Sequence, residues 1–429
     1  MTQERLAGLL KKKGIGPEGS KSLTTEELNE LEHLLPSPHV SLTTVATMVT
    51  ALLTLEPTPQ EKEWLDKIKE NPAHYLPEEL LPFITGNTTD TFYKLILKVI
   101  SRKDLTQEEA DYGIQQLLDP QTPDYLKGAF LESQRLKRET FTENKAFFSG
   151  LWNKARRITT DLPVVLDIAD SYDGFNRTYN FSLFTASLLA SMEIPCIVHS
   201  VDQVAPKEGY TSHQLLKLAG KNPLISLQQG KHTLEDHSVG VCYVDQQVFF
   251  NDLYLLKKMR KEMVKRPFLA TFEKLLQPIR STQGNFIVSG YTHPHYKEEL
   301  VKQLKEQGQC RKALIFKGLE GSTQLTLSRG SVSVLFDGKD IRESLVSPED
   351  FSLPLLESKQ DKNIRPEDVL AEGVAALEGK KNYAREALIY QATVIISKFN
   401  LIPSNNLTDL LKQKIDSGEA LARWNKMNQ

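Results

Sequence analysis

The chain has 429 residues, of which 40% are hydrophobic and 25% charged, and its formal net charge is −2. This composition is that of a globular protein. The sequence has no run of about 18 apolar residues and no secretion-signal core, so we expect no membrane span and a cytoplasmic location. The cysteines, Cys196, Cys242 and Cys310, lie far apart, which predicts free thiols rather than disulfides or a zinc site.

The first 76 residues are predicted to be helical. Apolar residues recur at helical spacing in TTEELNELEHLL (24–35), SLTTVATMVTALLTL (41–55) and TPQEKEWLDKIKE (58–70). Thr24 and Thr25 at the start of the first run, and Ser41 at the start of the second, are candidate N-caps.

A repeat then becomes visible. SLTTEELNELEHLLPSP (22–38) aligns without gaps with DLTQEEADYGIQQLLDP (104–120), and EPTPQEK aligns more weakly with RETFTEN at the same offset. Two unrelated amphipathic hairpins could also look alike. We interpret the pattern as a duplicated helical unit joined by a connector at 77–91.

After about residue 160, apolar runs of strand length alternate with helical stretches. The runs are PVVLDIA, PCIVHS, VGVCYV, NFIVSGY and KALIFKG, followed by a late hairpin at SVSVLFDG. This alternation predicts an α/β sheet. We therefore expect an extra N-terminal helical unit at 1–76, a helical domain at 90–158 and an α/β domain at 159–429.

The stretch DSYDGFNRTYNFS (170–182) joins the first of these strands to a helix. A turn of this kind commonly holds a phosphate, because its amides and the helix dipole favour an anion. Phosphate loops usually contain several glycines, whereas this turn has only Gly174, flanked by Tyr172, Phe175 and Arg177.

From about Thr91 onward the order of elements resembles the anthranilate phosphoribosyltransferases, or glycosyltransferase family 3. THPHYKEELVKQLKEQGQCRKALIFKG, ALEGKKNYAREALIYQATVIIS and KQKIDSGEALARW are similar to that family's later segments. The resemblance implies a helical bundle, a nucleoside phosphorylase/phosphoribosyltransferase-type α/β domain and a homodimer formed through the helical domain. It also implies a cleft between the domains, centred on 172–182, 198–200 and Arg266.

The family motifs are only partly present. DSYDG matches the Gly-Thr-Gly-Gly-Asp turn that cradles phosphoribosyl pyrophosphate, and Val198, beside His199, replaces a phosphate-binding Lys. Thr323 and Gln324 match the Asp-Glu pair that holds magnesium. The resemblance therefore implies Mg²⁺ only if phosphoribosyl pyrophosphate is bound, and we expect no other metal. The ligand-binding positions it implies are Ser171, Tyr172, Asp173, Gly174, Arg177, Asn180, Ser182, His199 and Arg266.

SYDGFNRTYN is more similar to a branch of the family with a Ser-Tyr-Asn-Gly-type turn. Members of that branch are not known as tryptophan-pathway enzymes, and some bind nucleic acid. A basic stretch fits this alternative, because KKMRKEMVKR carries one Glu, and LKKKG (10–14) could extend it. A solvated helix face is the simpler interpretation. The candidate nucleic-acid contacts are Lys257, Lys258, Arg260, Lys261 and Lys265.

Several residues admit a structural as well as a functional interpretation. Asp170 and Asp173 could share a cation or cap the turn, and Arg177 could meet a phosphate or pair with either carboxylate. Asn180 and Ser182 could contact a ligand or cap the helix.

The histidines are equally ambiguous. His199 ends an apolar strand, and a lone histidine in such a position is more often a packed residue than a catalyst. His293 and His295 flank Pro294, which suits a first helical turn better than a metal site.

The leading functional prediction is a divergent anthranilate phosphoribosyltransferase-like protein that lacks anthranilate transfer and binds an anionic ligand in the cleft. The alternatives are a nucleic-acid-binding protein on the same scaffold and an active phosphoribosyltransferase with a rearranged site.

Overall fold

A computed structural model describes residues 2–16, 18–357, 364–404 and 406–429. The chain divides into two compact units. Unit 1 contains Met1–Asn153 and Leu255–Leu269, and unit 2 contains Lys154–Tyr254 and Ala270–Gln429. The expected three-segment division stays a prediction.

The helices of the described residues are numbered in chain order. They are α1 (Thr2–Lys13), α2 (Thr25–Leu34), α3 (Leu42–Thr54), α4 (Pro59–Glu70), α5 (Pro72–Tyr75), α6 (Leu81–Thr85), α7 (Thr91–Ile100), α8 (Gln107–Leu118), α9 (Asp124–Lys137), α10 (Phe141–Lys154), α11 (Ser182–Ser191), α12 (Ser212–Leu218), α13 (Leu227–Glu235), α14 (Gln246–Phe249), α15 (Asn251–Leu255), α16 (Lys257–Met263), α17 (Leu269–Phe272), α18 (Pro294–Gln307), α19 (Pro366–Leu377), α20 (Tyr383–Phe399), α21 (Leu407–Asp416) and α22 (Glu419–Lys426). Among these residues, none of the helices combines the length and the apolar character that crossing a bilayer requires.

The strands are numbered in the same way. They are β1 (Ile158–Thr160), β2 (Leu166–Ala169), β3 (Cys196–Ser200), β4 (Val241–Asp245), β5 (Ile279–Ser281), β6 (Asn285–Gly290), β7 (Cys310–Phe316), β8 (Ser331–Phe336) and β9 (Ile341–Val346).

The helical repeat is confirmed in unit 1. Helices α2, α3 and α4 begin at residues 25, 42 and 59, and α8, α9 and α10 begin at 107, 124 and 141, which is 82 residues later in every case. Thr24 and Thr106 both close a capping box with the Glu three residues on. The two copies therefore share their helix starts as well as their sequence pattern.

A buried carboxylate plays the same part in each copy. Glu61 accepts a hydrogen bond from the Leu23 amide at 3.1 Å, and Glu143, 82 residues later, accepts one from the Leu105 amide at 2.9 Å. Each also accepts a hydrogen bond from a lysine Nζ at 2.7 Å. The bonds to the leucine amides join the start of α2 to α4 in the first copy and the start of α8 to α10 in the second.

Unit 2 is built on a seven-stranded sheet with the order β4-β3-β2-β6-β7-β8-β9. The first five strands are parallel, and β8 and β9 pair antiparallel as the expected hairpin. Strands β1 and β5 form a separate parallel pair. The parallel strands are apolar runs because helices cover both faces of such sheets. The predicted fold class, a helical bundle with an α/β domain, is confirmed.

Two local predictions are corrected by the structure, and a third, the connector, gains a detail. The basic helix ends at Met263, because Val264 adopts a left-handed conformation with φ 61°. The connector at 77–91 contains the short helix α6. Ser41 stands at the start of α3, but its hydroxyl donates to Glu262 Oε2 at 2.7 Å instead of capping the helix.

Candidate functional site

The turn at 170–181 lies at the carboxyl edge of the parallel sheet of unit 2. It follows β2 and leads into α11, and β2 lies between β3 and β6 in the sheet. Ligands of open α/β sheets bind at this edge. The predicted location of the turn, between a strand and a helix, is therefore confirmed.

The one glycine of the turn packs against the chain's own backbone. Gly174 has φ 77°, and a Cβ at this position would overlap the carbonyl of Gly209 and lie 2.6 Å from the Tyr210 carbonyl oxygen. The Phe175 amide donates to Tyr210 at 2.9 Å, and the Gly209 amide donates to Asp173 at 2.9 Å. The glycine thus admits a neighbouring loop, and Tyr172 and Phe175 are both buried.

The amides after Gly174 are occupied by a side chain. The Glu320 carboxylate accepts hydrogen bonds from the amides of Arg177 at 2.9 Å and Thr178 at 3.0 Å, and from the Thr178 hydroxyl at 2.9 Å. The Asn176 amide donates a longer bond of 3.3 Å. Consecutive amides that converge on one anion form the arrangement that binds phosphate in other proteins. Here the anion is part of the chain.

Lys207 completes the surroundings of Glu320. Its Nζ lies 2.9 Å from Glu320 Oε2 and 3.9 Å from Asp173 Oδ1. Burial raises the pKa of the Glu320 carboxyl, but Lys207 and the donors of the turn outweigh this effect, and the net pKa lies below its ordinary value. Glu320 is therefore ionised at neutral pH.

A second group of predicted positions is bonded into a closed buried network. Asp170 accepts from Asn180 Nδ2 at 2.6 Å and from the Thr323 hydroxyl at 2.8 Å. Asn180 Oδ1 accepts from the Ser182 amide at 3.0 Å, which is an Asx turn just ahead of α11, whose N-cap position is Phe181. Gln324 Oε1 accepts from the Phe181 amide at 3.0 Å. The structure brings these residues together, and they bond to one another and to neighbours such as Tyr210, whose hydroxyl accepts from the Asn180 amide at 2.7 Å.

His199 lies in a buried chain of three polar side chains. Its Nδ1 is 2.6 Å from the Tyr172 hydroxyl, and its Nε2 is 2.9 Å from Asp167 Oδ1. The side chains of His199 and Asp167 are completely buried. The packed interpretation of this histidine therefore agrees with its surroundings, while Val198 takes part in the sheet opposite Ile168.

A second histidine network, which was not predicted from the sequence, lies at the same sheet edge. His213 Nδ1 is 2.8 Å from Asp245 Oδ2, which also accepts from the Tyr243 hydroxyl at 2.9 Å. The Tyr243 hydroxyl is 3.0 Å from Ser200 Oγ. The signal that could have indicated this network is that Ser200 ends one predicted strand, PCIVHS, and Asp245 directly follows another, VGVCYV.

The two arginines proposed as ligand contacts lie in different units. Arg177 belongs to the turn of unit 2 and its side chain is exposed. Its amide, rather than its guanidinium, meets Glu320. Arg266 is an exposed residue of unit 1.

The basic stretch of unit 1 is only partly at the surface. Lys258, Lys261 and Arg266 are exposed and Lys257 is half-buried, whereas Arg260 and Lys265 are buried. Lys265 Nζ donates to the carbonyl of Lys11 at 2.9 Å. This bond joins the basic stretch to the basic end of α1.

The residues around the turn do not fit a magnesium ion. Mg²⁺ requires several oxygen ligands in octahedral geometry, but the oxygens of Asp170 and Glu320 already accept the bonds described above. Thr323 and Gln324 supply no carboxylate. Over the described residues, no group of three His, Cys, Asp or Glu could hold a metal. For His293, Pro294 stands in the first turn of α18, as expected.

Comparison with known proteins bears on this fold and site. Residues 93–155 match the family described as the glycosyl transferase family, helical bundle domain. Anthranilate phosphoribosyltransferase of Ruminiclostridium cellulolyticum is 24% identical over 333 residues, which cover 77% of this chain and 95% of that protein. The chain is anthranilate phosphoribosyltransferase-like. The matched family segment is the second helical copy, from α7 to α10.

Solved structures share the fold. Anthranilate phosphoribosyltransferase of Thermus thermophilus superposes with a TM-score of 0.65 at 20% identity, covering 77% of this chain and 97% of that one. The enzyme of Saccharomyces cerevisiae, in complex with phosphoribosyl pyrophosphate and magnesium, superposes with a TM-score of 0.66 at 15% identity. The alignment covers 79% of this chain and 97% of the yeast enzyme. Both alignments cover nearly all of the relative and leave about a fifth of this anthranilate phosphoribosyltransferase-like chain unmatched.

Proposed function

We propose that this anthranilate phosphoribosyltransferase-like protein does not transfer phosphoribose to anthranilate, and that it binds a different anionic ligand. The observation that carries the proposal is the Glu320 carboxylate on the amides of Arg177 and Thr178. A pyrophosphate that used these amides would first have to displace a bonded carboxylate of the same charge sign. The exposed guanidinium of Arg177, on the same turn, supports an anionic ligand.

The free energies of the hydrogen bonds favour the Glu320 carboxylate over a pyrophosphate at these amides. Each hydrogen bond to a charged group contributes about 1.5–3 kcal/mol, and Glu320 accepts several of them besides its contact with Lys207. Transfer also needs cations that neutralise the leaving pyrophosphate. Val198 supplies no charge, and the carboxylates that could hold magnesium are already bonded.

A transfer assay tests this proposal. Purified protein is incubated with phosphoribosyl pyrophosphate, Mg²⁺ and anthranilate, and the decrease in anthranilate is followed with a known transferase as a positive control. We expect no transfer above the buffer control. Steady turnover would refute the proposal and favour an active phosphoribosyltransferase with a rearranged site.

We propose nucleic-acid binding as a second function, favoured by the surface of unit 1. Lys258, Lys261 and Arg266 are exposed, and the bond from Lys265 to the Lys11 carbonyl brings the exposed Lys11 into the same surface. The one carboxylate of the stretch, Glu262, accepts from the Ser41 hydroxyl with Oε2, and its Oε1 lies 3.9 Å from Lys258 Nζ. Clustered exposed cations are what phosphate backbones bind.

The salt dependence of variants tests whether this surface supplies the phosphate contacts. Binding of a single-stranded oligonucleotide is measured over a salt series for the natural chain and for Lys258→Gln/Lys261→Gln. We expect the slope of log affinity against log salt to fall by about 1–2 in the variant, because up to two phosphate contacts are lost. The control, Lys380→Gln/Lys381→Gln, removes the same charge from unit 2 and should leave the slope unchanged. Equal slopes in all three proteins would contradict a role for this surface.

A further inference from the structure

The two helical copies of unit 1 pack on each other through corresponding helices. Helix α3 of the first copy lies against α9 of the second, and the two helices begin 82 residues apart. Gly128 of α9 faces Thr43 and Thr47 of α3, and a Cβ there would come within 2.9 Å of Thr43 Cγ2 and 3.2 Å of Thr47 Oγ1. The absence of a side chain at Gly128 thus allows the two helices to approach closely.

This arrangement has the form of a dimer of like units. In an isologous dimer, the same face of each subunit meets its equivalent on the other. Here α3 and α9 occupy the same place in copies that share caps and buried carboxylates, and both copies belong to one chain. Helix α3 is covered on nearly all sides, since all of its residues except Leu42 and Leu53 are buried.

We infer that the first copy, α1 to α4, serves as a covalently attached partner for the second copy, α7 to α10. The face that α9 presents is covered by α3 of the same chain, so this face does not pair with a second chain. The resemblance to the enzymes implies a homodimer through the helical domain, and that dimer stays a prediction. The inference assigns a different occupant to the α9 face and is independent of the proposed functions.

Attachment favours pairing within the chain. A short linker gives its partner an effective concentration on the order of millimolar, and residues 71–90 separate α4 from α7. A second chain at micromolar concentration would compete at a disadvantage of about a thousandfold for faces of equal affinity.

The segment Leu255–Leu269 contacts both helical copies. Its Glu262 accepts from the hydroxyl of Ser41 at 2.7 Å, and the Glu262 carbonyl accepts from the Thr44 hydroxyl at 2.8 Å. Its Phe268 stacks on Phe147 of the second copy with ring centroids 4.4 Å apart. One segment therefore contacts both copies, which favours a fixed pair rather than two separable hairpins.

An engineered disulfide tests which chain supplies the partner. Thr43→Cys/Gly128→Cys places two thiols where the helices are closest, and the native cysteines are buried. After oxidation of the full chain, we expect the disulfide-linked product to have the mass of one chain, 48.5 kDa, with faster mobility in a non-reducing gel. A disulfide-linked product of two chains would overturn the inference.

Controls keep this test decisive. The single variants Thr43→Cys and Gly128→Cys report background oxidation and should stay at single-chain mobility. Circular dichroism of the reduced double variant checks that it folds, and Thr47→Cys/Gly128→Cys takes its place if it does not. A folded variant of either kind that forms only the two-chain product would show that α9 pairs with another chain.

Discussion

At the scale of single residues, the candidate site is defined by one carboxylate that lies far away in the sequence. Glu320 is 142 residues from Thr178 in the sequence, yet its carboxylate accepts hydrogen bonds from the amide and the hydroxyl of Thr178. Nothing local to GLEGSTQL indicates this contact, so the sequence predicted a turn suited to an anion but could not predict that the chain supplies one. The closed network of Asp170, Asn180 and Thr323 was hidden for the same reason.

Gly174 gives a direct test of the turn. We expect Gly174→Ala to destabilise unit 2 by several kcal/mol, because the added Cβ would overlap backbone of Gly209 and the residue has a positive φ. Denaturant unfolding measures the change. Gly8→Ala is the control, since no atom lies within 4 Å of its Cβ position, and it should be neutral or stabilising. Equal stability of the two variants would contradict the close approach of the loops.

Glu132 of α9 gives a pH prediction. Burial raises the pKa of this carboxyl to about 7, although Arg135 and Lys265 act to lower it, whereas an unfolded Glu titrates at about 4.3. The folded state therefore holds more protons between these two pKa values, and the free energy of unfolding should fall as the pH rises from the lower value to the higher.

The variant Glu132→Gln isolates this effect. It cannot ionise, so we expect it to lose the decline in stability between those pH values. Glu63→Gln, which alters an exposed carboxylate of α4, should keep the decline. Urea unfolding at a series of pH values measures both, and an unchanged pH profile in Glu132→Gln would contradict the assignment to this group.

At the scale of helices and strands, the sequence was most informative where structure is local. Capping boxes, the 82-residue repeat and the five apolar strands all followed from short patterns, because caps and alternation depend on neighbouring residues. The end of α16 did not follow, since all residues of KKMRKEMVKR except Val264 are good helix formers and one β-branched residue does not by itself end a helix. Contacts of Glu262 and Lys265 within unit 1 accompany its early end.

The capping boxes provide a matched pair of variants. Thr24→Ala and Thr106→Ala each remove a hydroxyl that accepts a hydrogen bond from the amide of the Glu three residues later. The distance from the hydroxyl oxygen to the amide nitrogen is 3.3 Å in both copies. Each substitution should lower the free energy of unfolding by about 1 kcal/mol. Thermal or denaturant unfolding compares them, with Thr89→Ala in the connector as a control. A loss in one copy only would argue against equivalent roles for the two helices.

At the scale of the whole chain, the fold class and the family resemblance could be predicted because both depend on the order of elements. The burial of Arg260 and Lys265 could not be predicted from the sequence, because a charge pattern does not show which faces of a helix are covered. The pairing of α3 with α9 was equally invisible, because a repeat in sequence does not say whether its copies meet.

Calorimetric titration with phosphoribosyl pyrophosphate and Mg²⁺ shows whether the Glu320 carboxylate keeps a phosphate from the amides of Arg177 and Thr178. The natural chain is titrated side by side with Glu320→Ala, in which those amides are released. We expect no binding heat from the natural chain, even at millimolar ligand. Binding by the natural chain at micromolar strength would contradict this expectation, because the turn would then hold the pyrophosphate despite its internal carboxylate.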